Sequence, residues 1–366
     1  ADPWADMGSN LERNIDWHSA SLIPTEKNFY QEHPDVTARS DAEVEEILKK
    51  YDIEVLGGDG KGGDVPKPVL TFEEASLPDW LLETVRRKGF QSPTAIQTQV
   101  WPVALQGRDL IGIAETGSGK TLAYLMPMMI HIIAQEELKA NEGPVGLVMC
   151  PTRELAMQIN GVAEEFAGPS GLRSTCVYGG SAVKEQGRAV MEKNDIIIAT
   201  PGRLIQILNE GWTNLNRATY VVLDEADEML AQGFGEQMKL ILSQVRPDRQ
   251  MLMFSATWPK EVQILAREYC TGTSGDLEPV TVRVGGDRLA ACRTIQQHVL
   301  VLDTWADKFE KLREAVCRSG CDTRGNVHKC LIFCKTKLGV DELVGRFGAN
   351  QIEALGIHGD KRQDER

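Results

Sequence analysis

Five short apolar runs, residues 145–150, 174–178, 195–199, 220–223 and 250–254, each pass into a polar or glycine-containing turn and then into a stretch of helical pattern. Strands that are apolar throughout must be covered on both faces. Alternation with helices supplies that cover, so the expected fold is α/β: a doubly wound parallel sheet with helices on each side. This pattern constrains the rest, because an open parallel sheet takes its ligands at the carboxyl ends of its strands. The residues with chemical character stand just after these runs.

An earlier apolar run, residues 109–113, leads into Ala114-Glu115-Thr116-Gly117-Ser118-Gly119-Lys120-Thr121, and a helical pattern follows from Leu122. Strand, glycine-rich turn and helix N-terminus aim backbone N–H groups at phosphate oxygens, with the helix dipole adding to the attraction. Lys120 supplies charge for the outer phosphates and Thr121 a hydroxyl for Mg²⁺. Ala114 stands where the general phosphate-loop pattern has its first glycine. Downstream, Asp224-Glu225-Ala226-Asp227 follows the run 220–223. Set against the loop, Asp224 reads as the Mg²⁺ holder and Glu225 as the group that orients or deprotonates an attacking water. The expected cofactors are therefore ATP and Mg²⁺.

A chain of 366 residues has room for two domains plus an extension. The net charge of −13 argues against a generally basic nucleic-acid binder, but leaves room for a local basic groove. Eight scattered cysteines in a chain of this length suggest a reducing, intracellular setting rather than a disulfide framework. The longest apolar run, residues 124–134, is short and broken by Pro127 and His131, so no membrane partner is expected. The N-terminus is polar and acidic, unlike a signal peptide.

Residues 1–65 read as an N-terminal extension. Within it Ser40 and Glu43 have capping-box spacing, Val44, Ile47, Leu48 and Tyr51 share a helical face, and residues 57–64 form a glycine-rich linker. Residues 66–275 carry the strand–helix alternation of a first domain. In 276–366 the run 295–302 alternates like a strand, 308–317 like a helix, and 330–334 like a buried strand, the start of a second α/β domain. So short a segment does not complete a doubly wound sheet, so the natural chain is expected to continue. Cys317, Cys321, Cys330 and Cys334 are spaced by three rather than two residues and read as core cysteines, not zinc ligands.

The segment Asp224-Glu225-Ala226-Asp227 resembles the name-giving motif of the DEAD-box RNA helicases, where an alanine in the phosphate loop is also usual. Other family motifs follow the same order along residues 66–366. Gly89-Phe90-Gln91-Ser92-Pro93-Thr94-Ala95-Ile96-Gln97 looks like the Q motif, with Phe72 as its upstream aromatic. Pro151-Thr152-Arg153-Glu154-Leu155-Ala156 is similar to motif Ia, Gly179-Gly180 to the GG motif, and Thr200-Pro201-Gly202-Arg203 to motif Ib. Ser255-Ala256-Thr257 is similar to motif III, residues 331–337 to motif IV, and Gln363 to Arg366 to the QxxR element. Residues 28–34, 66–68, 101–105 and 255–262 resemble the nuclear Dbp-type branch of the family.

The resemblance implies two RecA-like domains that close together on ATP and RNA. Gln97 would select adenine, since an amide donates and accepts at once, and Phe90 would stack on it. Pro151, Thr152, Arg153, Gly179, Gly180, Thr200, Pro201, Gly202 and Arg203, with Thr336, Gln363 and Arg366 of the second domain, would hold the RNA backbone without reading bases. Asp227, Ser255, Ala256 and Thr257 would couple nucleotide state to RNA grip. Ribonucleoprotein components and a nuclear location follow by the same resemblance. Motifs V and VI, with the arginine fingers, would lie after Arg366, so residues 1–366 alone are expected to bind adenine nucleotide but turn it over slowly. One rival is a nucleotide-latched RNA clamp or scaffold without productive unwinding; another is a DNA translocase on the same fold. RNA-stimulated turnover separates the first, and comparison of RNA with DNA of one sequence separates the second.

Overall fold

The computed structural model describes residues 11, 15–17, 22–57, 65–139, 141–270, 278–286, 296–320 and 329–361. The chain divides into two compact units, Ala1–Arg288 and Leu289–Arg366.

Among its described residues the first unit has eight strands: β1 (Ile53–Leu56), β2 (Leu110–Ile113), β3 (Gly146–Met149), β4 (Ser174–Val177), β5 (Ile196–Ala199), β6 (Tyr220–Leu223), β7 (Gln250–Ser255) and β8 (Val280–Val284). Their order across the sheet is β1-β8-β2-β7-β6-β3-β5-β4. All pairings are parallel except β1 with β8. The two-residue period of the strands shows directly in the packing. Ile196, Ile198, Tyr220 and Val222 join the core on one face, and Ile197, Ala199, Val221 and Leu223 join the core on the other. Both faces are therefore covered, as uninterrupted apolar strands require.

The boundary between units falls at 288/289 rather than at 275/276, because Val280–Val284 pairs in register with both β2 and β1. The segment ahead of the glycine-rich stretch is likewise no free extension. The helix Asp41–Lys50 carries the expected capping box between Ser40 and Glu43 and leads into β1. Residues 23–39 run along the first unit as a strap. Phe29 N–H donates to the Leu105 carbonyl (2.6 Å), Arg246 Nη2 to the Ile23 carbonyl (2.7 Å), and Arg39 to the Pro68 carbonyl and the Glu74 carboxylate (2.6 Å each). Gly107, at φ +76°, sits where a Cβ would come within 2.5 Å of Lys27 Cβ, so a side chain there collides with the strap.

His131 lies in the helix Lys120–Ile133 beneath this strap. It is 1 % exposed, with Nε2 2.8 Å from Thr219 Oγ1 and the Phe29 ring edge-on at 6.0 Å. Burial, with a smaller push from Lys27, takes its pKa from 6.5 to about 3. The imidazole therefore stays neutral in the folded protein while the unfolded chain takes up a proton below pH 6.5. Stability should fall on acidification from pH 6.5 toward 3, at up to about 1.4 kcal/mol per pH unit from this group. Urea titrations of His131→Phe against the parent between pH 7 and 5 should show the variant without this part of the pH slope. Parallel slopes would refute the assignment.

The second unit pairs the helices Trp305–Arg318 and Lys337–Ala349 around Phe309, Val316, Leu343, Phe347 and Ile352, with the Arg346 guanidinium 4.1 Å over the Trp305 ring. Neither 296–302 nor 330–334 is a strand, and among its described residues the unit has none. Neither segment joins a ladder among the described residues, and Val301 (91 %) and Phe333 (89 %) stand exposed, while Ile332 and Cys334 pack partly against the helix core. Cys317 and Cys330 are exposed rather than core residues. No group of metal-ligating side chains occurs among the described residues, and no described helix is long and apolar enough to cross a membrane.

Candidate functional site

The order β2-β7-β6 sets three sequence-distant segments side by side at their carboxyl ends: the loop 114–121 after β2, Ser255-Ala256-Thr257 at the end of β7, and Asp224 to Asp227 after β6. The loop needs its glycines. Gly117 (φ +82°) and Gly119 (φ +92°) occupy left-handed backbone, and Gly119 caps the helix that begins at Lys120. Ala114 is buried, its N–H bonded to the Ser255 carbonyl at 3.1 Å. Lys120 Nζ donates to the Ala114 carbonyl at 2.6 Å. Burial lowers its pKa, while the carboxylates of Asp224, Glu225 and Asp227 work the other way.

Asp224 is 3 % exposed and held at both oxygens: Tyr124 Oη donates to Oδ2 (2.9 Å) and the Glu225 N–H to Oδ1 (3.0 Å). Burial raises its pKa, partly offset by Lys120 and the Tyr124 hydrogen bond. Glu225 is also raised, by burial and then by Asp224. Its backbone is left-handed (φ 54°, ψ 51°), a conformation non-glycine residues seldom hold outside functional turns. Burial works to raise Asp227, but the hydroxyls of Thr257 and Ser255 and the Thr257 N–H hold it below its ordinary value. Thr257 donates to Asp227 Oδ2 through both N–H (3.0 Å) and hydroxyl (2.6 Å). The buried carboxylate of Asp224, the half-buried Glu225 and the Thr121 hydroxyl are hard oxygen donors. They suit Mg²⁺, which binds through one or two carboxylates plus phosphate oxygens rather than in a protein cage.

Phe90 is 44 % exposed and offers an open ring, whereas Phe72 is buried at 8 %, tilted against Trp101 at 5.8 Å. The expected upstream aromatic is thus a core residue, and the open stacking face belongs to Phe90. Gln97 is 4 % exposed and already at work inside the protein. Its Oε1 accepts from the Thr94 N–H (3.0 Å) in a capping box, and its Nε2 donates to the Gly119 carbonyl (3.0 Å). One N–H and one lone pair remain for a base. Gln97→Ala should therefore weaken adenine nucleotides by about 1–3 kcal/mol and also loosen the loop. Calorimetry with ADP and GDP reads both effects. Equal losses for the two bases would leave only the loop-holding role.

A second strip lies across β3, β5 and β4, again neighbours in the sheet. After β3, Pro151 and Thr152 lead into the helix Arg153–Ala167, and Thr152 caps it by accepting the Leu155 N–H (3.2 Å). After β5, Thr200 precedes the helix Pro201–Asn209 with no side-chain cap, so the first-turn N–H groups keep their donor capacity for a phosphate. After β4, Gly179 and Gly180 form the turn, Gly180 at φ +88°. The Arg153 guanidinium lies beside them, 6.0 Å over the Tyr178 ring. Arg203 does not face outward: it is 8 % exposed and spent on Gln186 and the Ser181 carbonyl. Thr336 caps the helix Lys337–Ala349 in the second unit by accepting the Gly339 N–H. Gln363 and Arg366 lie outside the described residues.

Two residues that sequence reasoning missed enter the site. Tyr124 lies one helical turn after Lys120, a spacing that places both on one helix face and that was available as a signal. Gln186 has no comparable mark in the sequence.

A doubly wound sheet with a phosphate loop and an acidic strand end is a RecA-like nucleotide-binding domain. The family model for the DEAD/DEAH box helicases matches residues 94–265. An ATP-dependent RNA helicase DBP2 from Meyerozyma guilliermondii is 49 % identical over 351 residues, which is 96 % of this chain and 61 % of that protein. The RNA helicase Prp28 from Chaetomium thermophilum bound to ADP aligns with TM-score 0.61 and 32 % identity, over 92 % of this chain and 76 % of that one. The yeast DEAD-box splicing factor Prp28 aligns with TM-score 0.64 and 30 % identity, over 93 % and 75 %. The chain belongs to the DEAD-box helicase family. It spans about three-fifths of the length of the curated relatives it matches.

Proposed function

We propose that the protein is an ATP-dependent RNA helicase, which couples ATP binding and hydrolysis to local separation of RNA strands or remodelling of ribonucleoproteins. The observation that carries this is the order of strand ends. Three adjacent ends, β2-β7-β6, hold the phosphate loop, the acidic motif and Ser255 to Thr257, and the next three, β3-β5-β4, hold the backbone-binding segments. In this reading a nucleotide site would lie beside a strip of main-chain donors able to grip a sugar–phosphate chain without reading bases. It also accounts for RNA binding by an acidic chain, since the contact is a strip rather than a whole surface.

In this reading Phe90 and Gln97 receive adenine, the loop N–H groups and Lys120 receive the phosphates, and Asp224 with Thr121 would hold Mg²⁺. When bound, the ion supplies charge for the β- and γ-phosphate oxygens. Glu225 accepts a proton from the attacking water. The Asp227–Thr257 contact ties the acidic motif to the end of β7, and a change at the phosphates would pass along it. RNA-stimulated ATP turnover together with displacement of a short RNA strand, measured on the full-length protein, tests the proposal. Stimulation without displacement would favour a nucleotide-latched clamp. Equal stimulation by DNA of the same sequence would overturn the RNA assignment. A nuclear site of action and ribonucleoprotein partners belong to the same proposal, supported by the likeness of residues 28–34 and 255–262 to the Dbp-type branch.

A further inference from the structure

The turn that carries Gly179 and Gly180 is pinned from below by a neutral side chain that no motif contains. Gln186 lies in the helix Val183–Met191, which follows the turn. Its Oε1 accepts two hydrogen bonds, from the Tyr178 N–H on entry to the turn (3.2 Å) and from Arg203 Nη1 (2.7 Å). Its Nε2 donates to Ser181 Oγ on the exit side (3.2 Å). Arg203 Nη2 donates to the Ser181 carbonyl (2.9 Å). One amide therefore bridges both ends of the turn and also binds the guanidinium that comes from the helix after β5. We infer that Gln186 and Arg203 form a positioning hub: they set the Gly179-Gly180 backbone, and neither side chain itself meets the ligand.

Three physical points favour this over the direct phosphate contact expected of Arg203. First, the side chain is nearly out of solvent, and its two terminal nitrogens are committed to protein acceptors at short range. Moving it to a phosphate would leave the Ser181 carbonyl and Gln186 Oε1 without those donors. Second, among the described residues no carboxylate lies within ion-pair distance of Arg203, and Glu210 acts on it only as a longer-range charge. Its partners are neutral and shaped for geometry, which suits a fastening more than a charge store. Third, a glycine turn does not hold itself. Gly180 occupies left-handed backbone, and without a Cβ on either glycine the turn relies on outside contacts to fix its N–H directions. The hub supplies them on one side, while Arg153 covers the other, 3.4 Å from where a Gly180 Cβ would be.

This inference rests on the RNA-binding reading above, and the experiment separates the two. Binding of a single-stranded oligo-uridine RNA, with a non-hydrolysable ATP analogue present, is measured by anisotropy on the full-length protein carrying Gln186→Ala, Gln186→Glu, Arg203→Ala or the Gln186→Ala/Arg203→Ala pair. Nucleotide affinity in the same samples reports folding. Gln186→Ala should weaken RNA on the order of tenfold, the loss of a well-aimed hydrogen bond or two. Gln186→Glu keeps both acceptor contacts and should retain most of the affinity. The double variant should lose little more than the worse single one, because both residues act through one turn. The dependence of affinity on salt should keep its slope in Arg203→Ala. A direct phosphate contact would lower that slope by about 0.7. Parent-like binding by Gln186→Ala, additive losses in the pair, or a reduced slope in Arg203→Ala would each overturn the hub. A parent protein that binds no RNA would overturn the functional reading itself and the hub with it.

Discussion

Glu225→Gln is expected to leave adenine nucleotide bound while slowing its hydrolysis by about 10²–10⁴-fold, the usual worth of a positioned general base. The substitution isolates proton acceptance. Glutamine matches glutamate in size and tolerates the left-handed backbone at φ 54° about as well, so the turn that presents residue 225 should survive. The Glu225 N–H would still donate to Asp224 Oδ1. Only the capacity to take a proton from water is removed. Steady-state turnover by the full-length protein with saturating RNA, set beside nucleotide affinity, decides the matter. Hydrolysis near the parent rate would mean that another group receives the proton. Loss of nucleotide binding in step with hydrolysis would mean that residue 225 serves to hold the ligand.

The largest effect on stability is expected from Arg246→Ala, at about 3 kcal/mol. Arg246 is 1 % exposed and binds Asp248 with two parallel hydrogen bonds of 2.7 Å, while Nη2 also donates to the Ile23 carbonyl. Truncation takes two donors from the Asp248 carboxylate, leaving it its own backbone N–H and the nearby Lys27 charge, takes the Arg246 donor from the Ile23 carbonyl, and opens a space the size of the side chain. Asp248 is 40 % exposed and regains some hydration, which places the loss at the low end for a broken buried pair. Urea denaturation of the parent and the variant provides the measure. The strap should loosen before the sheet does, so limited proteolysis should cut first near residue 23. A loss under about 1 kcal/mol would show that the pair is a surface contact in energetic terms.

The sheet and its ligand edge were legible because they rest on local rules. Apolar runs with glycine or acidic turns mark parallel strands and their carboxyl ends, and the loop 114–121 and Asp224 to Asp227 stand where those rules put them. What the sequence did not disclose depends on long-range pairing. β1 and β8 are short and lie on either side of a long domain, so nothing local tells that Ile53 meets Val284. Residues 330–334 have the composition of a buried strand, yet composition does not supply a neighbour to pair with. Phe72 and Phe90 look alike as isolated aromatics, and only packing against Trp101 takes Phe72 into the core. Arg203 reads as a surface cation until its acceptors on Ser181 and Gln186 are seen. The double role of Gln97 was open to derivation, since Thr94 and Gln97 have capping-box spacing.

The antiparallel strand β1 also has a bearing on how molecules of this protein meet one another. It covers the outer edge of β8, whose Val280-Thr281-Val282 run would otherwise present a row of free N–H and C=O groups to solvent. An open, β-branched edge of that kind is a template for strand pairing between molecules. The edge of the sheet passes instead to β1, four residues long and carrying Glu54, a short charged edge of the kind that discourages such pairing, so the amino-terminal segment would serve as a guard as well as a brace. A shortened chain that starts beyond Leu56 keeps every motif of the nucleotide site and loses that guard.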